Sequence, residues 1–156
     1  MRPISNILKS RQSPSVHSIA PKATVFEALK LMAEKNVGAL LVMEGETIVG
    51  IISERDYARK VILHDLSSRD TPVSRIMSSP VLCVSSEHSN EECMALMTNN
   101  RLRHLPVVDQ ERLIGMISIG DLVKDIIEEL EFSNEQLMRY INGTHGTTEK
   151  AIRHAA

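Results

Sequence analysis

The sequence predicts a mixed α/β fold built from two copies of one unit that are related by a pseudo-twofold axis. The segment GIISERD at 50–56 returns as GMISIGD at 115–121, which gives an internal repeat with an offset of 65 residues. The same offset aligns the flanking segments without a gap, so that Val16 falls on Val81 and Leu40 on Leu105. Two copies are too few for a solenoid and favour a pair that shares one core. We therefore expect any site at the junction to occur twice.

The opening part of each repeat reads as a short strand followed by a helix. In the first copy an extended piece at 16–19 ends before Pro21, and Thr24 with Glu27 forms a capping box, the usual start of a helix. Ser89 and Glu92 repeat this box in the second copy. Apolar residues then recur at helical spacing, which predicts an amphipathic helix in both copies.

The remaining part of each repeat reads as a hairpin and a closing helix. Apolar runs flank a short polar turn, as expected for two buried antiparallel strands. Ser53 and Ser118 each end a strand and begin the last helix. The predicted strands are 39–43 and 48–52 in the first copy and 105–108 and 113–117 in the second.

These elements divide the chain into five segments. After Phe132 the apolar period fades and Gly, Thr and His become frequent, so we expect the helix to give way to a disordered polar tail. The segments are a lead-in at 1–15, the first repeat at 16–66, a linker and second lead-in at 67–80, the second repeat at 81–130, and a helix end with the polar tail at 131–156.

Composition excludes several classes of partner. Only 3% of the residues are aromatic and the net charge is −2, whereas proteins that bind single-stranded nucleic acid use aromatic stacking and positive charge. We therefore expect no nucleic acid partner. No segment approaches the 18 or so apolar residues of a membrane span, and the N-terminus lacks an apolar signal region, so we expect no membrane contact and a cytoplasmic location. Cys83 and Cys93 have no metal-ligand spacing, and we expect buried, reduced thiols.

The repeated motifs resemble a known module. Two copies of the unit, each ending in Gly-x-Ile-Ser-x-x-Asp, together with RHLPVVD at 103–109, look like a pair of cystathionine-β-synthase-type (CBS) domains, also called a Bateman module. The resemblance implies two repeats packed sheet to sheet, adenosine-containing ligands in the clefts between them, and a homodimer. It also implies a regulatory role, here toward a separate and unidentified protein. AMP is the first expected ligand, followed by NAD or ATP.

The Ser-x-x-Asp turn that ends each repeat has two interpretations. An Asp in the first turn of a helix can accept hydrogen bonds from both ribose hydroxyls, and the backbone amides beside it attract phosphate. Alternatively, the Ser and Asp only cap the helix. The resemblance favours ligand binding by Ser53 and Asp56, and by Ser118, Ile119 and Asp121.

Charged residues before the second hairpin are candidates for phosphate binding. Arg103 and His104 offer donors suited to phosphate, although solvated edge charges are an equally good explanation. Their first-copy equivalents are Gly38 and Ala39, which carry no charge. By resemblance, Arg103 and His104 accompany Asp121, so the sequence predicts that this cleft favours phosphorylated ligands. Arg55 would compensate in the other cleft, unless it is a solvated first-turn Arg.

Adenine is expected against the opposite repeat. By resemblance, the site of Asp121 takes its base contacts from Val16, His17, Val37 and Ala39. The site of Asp56 takes its contacts from Val81, Leu82 and Leu102. Core packing explains the same small apolar positions, and His17 alone beside an apolar strand is more often structural.

Two further classes of function compete with a nucleotide sensor. An enzyme is the class we expect least, because the chain shows no nucleophile with a base, no metal cluster, no Gly-rich phosphate loop and only scattered histidines. We therefore expect no catalytic cofactor. The other class is a ligand-independent dimerisation module that uses the helix at 122–141 as its interface. Nucleotide-dependent thermal stabilisation distinguishes the sensor from both.

Overall fold

The computed structural model describes residues 2–10 and 16–155, with side chains up to Gly143. The expected hairpins and helices are present in both repeats, whereas the expected short first strand is present only in the first. The elements in chain order are α1 (Ile4–Ser10), β1 (Ser18–Ile19), α2 (Val25–Lys35), β2 (Ala39–Glu44), β3 (Thr47–Ser53), α3 (Glu54–Asp56, continued by a π-helical turn at Tyr57–Val61 and a 3₁₀ turn at Ile62–His64), α4 (Val73–Ile76), α5 (Asn90–Asn100), β4 (His104–Asp109), β5 (Arg112–Ser118) and α6 (Ile119–Ala155).

Each repeat contributes one sheet. In the first, β1 pairs parallel with β2, and β2 pairs antiparallel with β3. In the second, β4 and β5 form the hairpin, and a single parallel bridge from Val84 to Val107 replaces the edge strand β1. Both hairpins carry a bulge at the same place, after Val42 and after Val107. The mixed α/β fold with two sheets therefore confirms the sequence prediction.

The capping boxes begin α2 and α5 as predicted. The backbone amide of Glu27 donates to Thr24 Oγ1 (3.1 Å), and the Thr24 amide donates to Glu27 Oε2 (2.8 Å). The Ser89–Glu92 box has the same reciprocal bonds at 3.2 and 2.7 Å. Each box satisfies two amides that the first turn of a helix otherwise leaves without an intrahelical acceptor. These caps fix where each helix starts.

The lead-in helices are exchanged between the repeats. Helix α1 precedes the first repeat but places Ile4 and Ile7 in the core of the second, beside Met97 and Leu105. Helix α4 precedes the second repeat but packs in the core of the first. The expectation of one shared core is therefore wrong, because the apolar residues divide into two clusters. Each cluster is completed by a helix that the chain delivers from the other side, and this exchange links the two halves.

Two glycines permit the exchange. A Cβ atom on Gly115 of β5 would lie 2.8 Å from Leu8 Cδ2, and one on Gly50 of β3 would lie 2.5 Å from Met77 Sδ. These positions are equivalent under the 65-residue offset. The repeated glycine in Gly-x-Ile-Ser-x-x-Asp thus leaves room for the side chain of the exchanged lead-in.

The closing helices of the two repeats differ. The first is short and ends at His64, whereas α6 extends for 37 residues to Ala155. The sequence predicted a helix end and a polar, disordered tail within 131–156, whereas the backbone of α6 continues as helix to Ala155; the side chains beyond Gly143 lie outside the described residues. Cys83 is exposed, which corrects the expectation that both thiols are buried, while Cys93 is buried as expected. Among the described helices, none is both long and apolar enough to cross a membrane.

Candidate functional site

Two cavities lie between the repeats, and each contains one of the Ser-x-x-Asp turns. The Asp121 cleft has a volume of about 430 Å³, and the Asp56 cleft has a volume of about 660 Å³. The Asp121 cleft is lined by Leu8, Val16, His17, Lys35, Asn36, Val37, Gly38, Ala39, His104, Gly115, Met116, Ile117, Ser118 and Asp121. The Asp56 cleft is lined by Gly38, Ile51, Ser53, Glu54, Arg55, Asp56, Ser78, Pro80, Val81, Leu82, Asn100, Arg101, Leu102, Arg103 and His104.

Each cleft combines a turn from one repeat with a helix–strand connection from the other. Residues 35–39, which join α2 to β2, line the cleft that contains Asp121. Residues 100–104, which join α5 to β4, line the cleft that contains Asp56. The connections begin at Asn36 and Arg101, whose left-handed backbone (φ 53° and 54°) ends the helix and redirects the chain toward the opposite repeat.

The Ser-x-x-Asp turns are reciprocal caps in both repeats. Ser118 donates to Asp121 Oδ2 from its amide (2.6 Å) and from its hydroxyl (2.7 Å), and the Asp121 amide donates to Ser118 Oγ (3.2 Å). Ser53 and Asp56 repeat the three bonds at 2.9, 3.1 and 3.2 Å. The capping interpretation is therefore correct as geometry. It does not exclude binding, because a carboxylate has about four acceptor positions and the cap occupies one oxygen.

The second carboxylate oxygen of Asp56 contacts a lysine. Lys60 Nζ lies 3.1 Å from Asp56 Oδ1 and also donates to the carbonyl of Ile76 (2.9 Å). The equivalent of Lys60 in the second repeat is Asp125, which turns away from the cleft and accepts from Asn90 Nδ2 (2.9 Å). Asp56 therefore has a lysine one helical turn later at its carboxylate, whereas the residue one turn after Asp121 is an acid that bonds to Asn90 instead.

The charge on the cleft walls also differs. Three arginines line the Asp56 cleft, and they share it with the carboxylates of Glu54 and Asp56. They are Arg55, Arg101 and Arg103. The Asp121 cleft has one lysine, Lys35, beside one carboxylate. An anionic ligand is therefore attracted more strongly to the Asp56 cleft, by the ordinary Coulomb interaction.

His104 lies between the two clefts and lines both. Burial lowers the pKa of its imidazole below the ordinary value, and this effect outweighs the carboxylate of Asp121, which raises it. The Arg103 guanidinium lowers the pKa further, and the Glu54 carboxylate raises it. His104 thus responds to charges from both sites.

Comparisons with known proteins agree with this architecture. The family model of the CBS domain matches residues 6–63 and 73–128. The chain belongs to the CBS-domain family. Because the two matches span the two repeats, the protein contains a tandem pair of CBS domains. The CBS pair is a typically regulatory module.

Similar proteins are CBS-domain proteins as well. The chain is 39% identical to the mitochondrial CBS domain-containing protein CBSX3 of Arabidopsis thaliana, across 90% of this chain and 72% of that protein. It is 34% identical to the CBS domain-containing protein YhcV of Bacillus subtilis, across 74% and 81%. A solved structure of a protein with CBS domains from Burkholderia ambifaria has 50% identity and a TM-score of 0.80, and the match covers 81% of this chain and 95% of that one.

The CBS pair brings most of the predicted site residues to the expected cleft. Ser118, Asp121 and His104 line the Asp121 cleft together with Val16, His17, Val37, Gly38 and Ala39. Ser53, Arg55 and Asp56 line the Asp56 cleft together with Val81, Leu82 and Leu102. Their role in binding a ligand stays a prediction.

Two predicted residues lie elsewhere. Arg103 lines the Asp56 cleft, whereas the sequence placed it with Asp121. Ile119 is not among the lining residues of either cleft, and its amide instead donates to the Arg103 carbonyl (2.9 Å). This bond joins the start of α6 to the residue that precedes β4. The adjacent residues Arg103 and His104 then differ in placement, because Arg103 lines the Asp56 cleft and His104 lines both clefts.

Sequence reasoning missed Lys35, Asn36 and Arg101, which line the clefts. The 65-residue repeat could have identified Asn36 and Arg101. They occupy equivalent positions and immediately precede Val37 and Leu102, which the sequence did predict as site residues. Assigning each whole connection to the opposite repeat would have found both residues. It would also have moved Arg103 to the Asp56 cleft.

Proposed function

We propose that this CBS pair is a regulatory module that binds adenine nucleotides in the clefts between its repeats and signals their level to a separate protein. The observation that carries the proposal is that both cavities combine a Ser-x-x-Asp turn with apolar residues of the opposite repeat. A nucleoside needs both parts, an acceptor for the ribose hydroxyls and an apolar slot for the base. CBS domains generally bind adenosine ligands, which supports the same assignment.

The Asp121 cleft suits a nucleoside with few phosphates. Its volume lies at the lower end of the range for small-molecule sites. Asp121 is the proposed ribose acceptor, and Val16, Val37 and Ala39 form the proposed slot for the adenine ring. Lys35 and His104 supply the proposed contacts to a single phosphate, as in AMP.

The Asp56 cleft suits a nucleotide with more negative charge. Asp56 is the proposed ribose acceptor, and Val81, Leu82 and Leu102 form the proposed adenine slot. The three arginines offer guanidinium groups, which bind phosphate oxygens in pairs. The Asp56 carboxylate already contacts Lys60, so a ribose must compete with that ion pair for the same oxygen. Contacts between phosphates and the arginines would offset this competition. ATP or NAD is therefore a better candidate here than adenosine.

The partners in this proposal are the nucleotide, a second copy of the chain and an unidentified regulated protein. CBS-domain proteins commonly form oligomers, which supports the homodimer. We propose a cytoplasmic location, where adenine nucleotides are abundant, with neither nucleic acid nor a membrane as a partner.

A ligand-independent dimerisation module is the second candidate function. It is favoured by the exposed apolar side chains of α6, including Leu130, Leu137 and Ile141. Among the described residues, no cluster of histidines, cysteines and carboxylates could hold a metal ion. An enzyme is the candidate that the CBS pair supports least.

Thermal unfolding in the presence of nucleotides tests the sensor. A ligand that binds only the folded protein at a hundredfold excess over its Kd adds about 2.7 kcal/mol, which corresponds to a rise in Tm of about 5–10 °C for a chain of this length. We expect millimolar AMP, ATP or NAD to give such a rise. We expect the Asp56→Ala, Asp121→Ala double variant to lose most of it.

The matched control is Glu92→Ala, because Glu92 caps α5 as Asp121 caps α6 but lines neither cleft. This variant should lower the Tm of the free protein by the loss of a cap, about 1 kcal/mol, and should keep the full rise with nucleotide. Wild-type protein whose melting is unchanged across all three nucleotides would contradict the sensor and favour the dimerisation module.

A further inference from the structure

Helix α6 continues beyond the CBS pair as a helix that the described fold leaves uncovered. Leu122 and Asp125 near its start are buried against the second repeat, but every described residue from Leu130 to Gly143 is exposed. An isolated helix of this kind is marginal in water, because propensity alone does not offset the entropy of ordering it. A partner that covers one face would supply the missing stabilisation.

Five of the exposed apolar residues of α6 follow the spacing of a coiled coil, whereas Ile119, Phe132, Met138 and Tyr140 lie outside the series. Val123, Ile127, Leu130, Leu137 and Ile141 are separated by three- and four-residue steps once Asn134 is included in the series. In heptad notation, Ile127, Asn134 and Ile141 take position a, while Val123, Leu130 and Leu137 take position d. We call these six residues the α6 seam. The seam lies about a quarter turn away from Leu122, Asp125 and Ile126, so it does not compete with the packing against the module.

Away from the α6 seam, the helix carries solvent-exposed ion pairs. Ion pairs with i, i+4 spacing join Lys124 to Glu128 (3.9 Å) and Glu135 to Arg139 (4.0 Å). Such pairs are typical of the solvated face of a helix that is covered on its other face.

We propose that the α6 seam pairs with the seam of a second copy of this chain as a parallel, in-register, two-stranded coiled coil. Asn134 is the residue that selects this partner. A single Asn at position a is unfavourable against an apolar partner but pairs with the same Asn across a parallel dimer, and so fixes the register and the number of strands. In an antiparallel pair centred on this segment, Asn134 would face Leu130 instead.

The area available agrees with a dimer. The exposed parts of the five apolar seam residues amount to roughly 500 Å² per chain, so pairing buries on the order of 1,000 Å², about the minimum for a specific interface. The two CBS pairs would then lie at the same end of the coil, on opposite sides of it. This inference rests on the homodimer of the proposed function and not on nucleotide binding, so the oligomeric state and the nucleotide-dependent rise in Tm can fail separately.

Sedimentation of the full chain with matched variants tests the seam. We expect the wild type to be a dimer at micromolar concentration and Leu137→Asp to weaken association by at least about a hundredfold, as expected for a charge at a d position. Phe132→Asp is the control, because Phe132 is 56% exposed, close to the 61% of Leu137, but faces away from the seam. This variant should dimerise like the wild type. A monomeric wild type, or a dimer that Leu137→Asp leaves intact, would overturn the proposal.

Disulfide trapping tests the orientation. In a Cys83→Ser background, which removes the exposed native thiol, Leu137→Cys should form an interchain disulfide under mild oxidation, since equivalent d positions face each other in a parallel coil. Glu135→Cys, on the solvated side, should stay largely unlinked. Equal linking of the two variants, or a dimer in which Leu137→Cys remains reduced, would exclude the parallel arrangement.

Discussion

The Asp121 cleft and the Asp56 cleft are made from equivalent segments, yet they present different chemistry. Each has a Ser-x-x-Asp cap with the same three hydrogen bonds, and each takes its apolar slot from the opposite repeat. The three arginines of the Asp56 cleft replace uncharged equivalents, since Arg55 corresponds to Gly120, Arg101 to Asn36 and Arg103 to Gly38. Two pairs run the other way: Lys35 in the Asp121 cleft corresponds to Asn100, and Glu54 in the Asp56 cleft corresponds to Ile119. The two repeats therefore share the proposed nucleoside site and differ in the cations available for phosphate.

This comparison reverses an expectation from the sequence. Arg103 precedes His104 in the second repeat, and the resemblance assigned both to Asp121. Arg103 instead lines the Asp56 cleft, while His104 lines both. The cleft with the three arginines is the one whose proposed ribose acceptor, Asp56, comes from the first repeat. We therefore expect the Asp56 cleft, rather than the Asp121 cleft, to discriminate most strongly between phosphorylated and unphosphorylated ligands.

Replacement of Arg103 should have the largest effect. A hydrogen bond to a charged group contributes roughly 1.5–3 kcal/mol, so Arg103→Ala should weaken ATP at the Asp56 cleft by about tenfold or more and leave adenosine nearly unchanged. Calorimetry in an Asp121→Ala background isolates this cleft.

Arg112→Ala is the matched control for this measurement, because Arg112 is exposed on β5 and does not line a cleft. It should leave the affinities for both ligands unchanged. Equal losses of adenosine and ATP in Arg103→Ala would show that Arg103 supports the fold of the cleft and does not contact phosphate.

The pH dependence at His104 should be smaller. Because burial lowers the pKa of His104, the imidazole of the free protein is mainly neutral at pH 7. A bound phosphate would favour the protonated form and raise this pKa, so binding takes up a proton. Affinity for AMP in the Asp121 cleft should therefore fall by a few-fold as pH rises between the two pKa values, a window that begins below about 6.5.

His104→Gln keeps a donor but does not titrate in this range, and it separates His104 from the phosphate of AMP, which itself titrates near pH 6. Calorimetry in an Asp56→Ala background should show that His104→Gln loses the contribution of His104, so that its ratio of AMP affinity at low pH to AMP affinity at high pH is smaller than that of the wild-type residue. Identical pH profiles for the two proteins would remove His104 from the phosphate site.

Much of the fold could be predicted because local signals agree with the tertiary structure. The capping boxes at Thr24 and Ser89 and the apolar runs at 39–43 and 105–108 specify their elements through nearby residues, and the structure confirms them. The exchange of the lead-in helices could not be predicted in this way. Ile4 and Val73 have the apolar pattern of a packed helix, but the pattern does not state which core the helix completes.

In the candidate site and in α6, local sequence signals likewise predict the element but not what it packs against. The Ser-x-x-Asp turns are local, and the sequence located both. The position of Arg103 depends on how the start of β4 is oriented between the two clefts. Adjacent residues in an extended segment point in different directions, so Arg103 and His104 need not line the same cleft. The sequence offered the helix at 122–141 as a dimer interface, but it did not show which face of that helix stays exposed, because this depends on the burial of Leu122 and Asp125 against the second repeat.

The stoichiometry of nucleotide binding tests the central claim most directly. Calorimetric titration of ATP should give two sites per chain in the wild type, of which the Asp56 site is the tighter. Asp56→Ala and Asp121→Ala should each retain one site, and the double variant should retain none. A wild type that binds no ATP, AMP or NAD at millimolar concentration, or a double variant that still binds with two sites, would contradict the assignment of the two clefts as nucleotide sites.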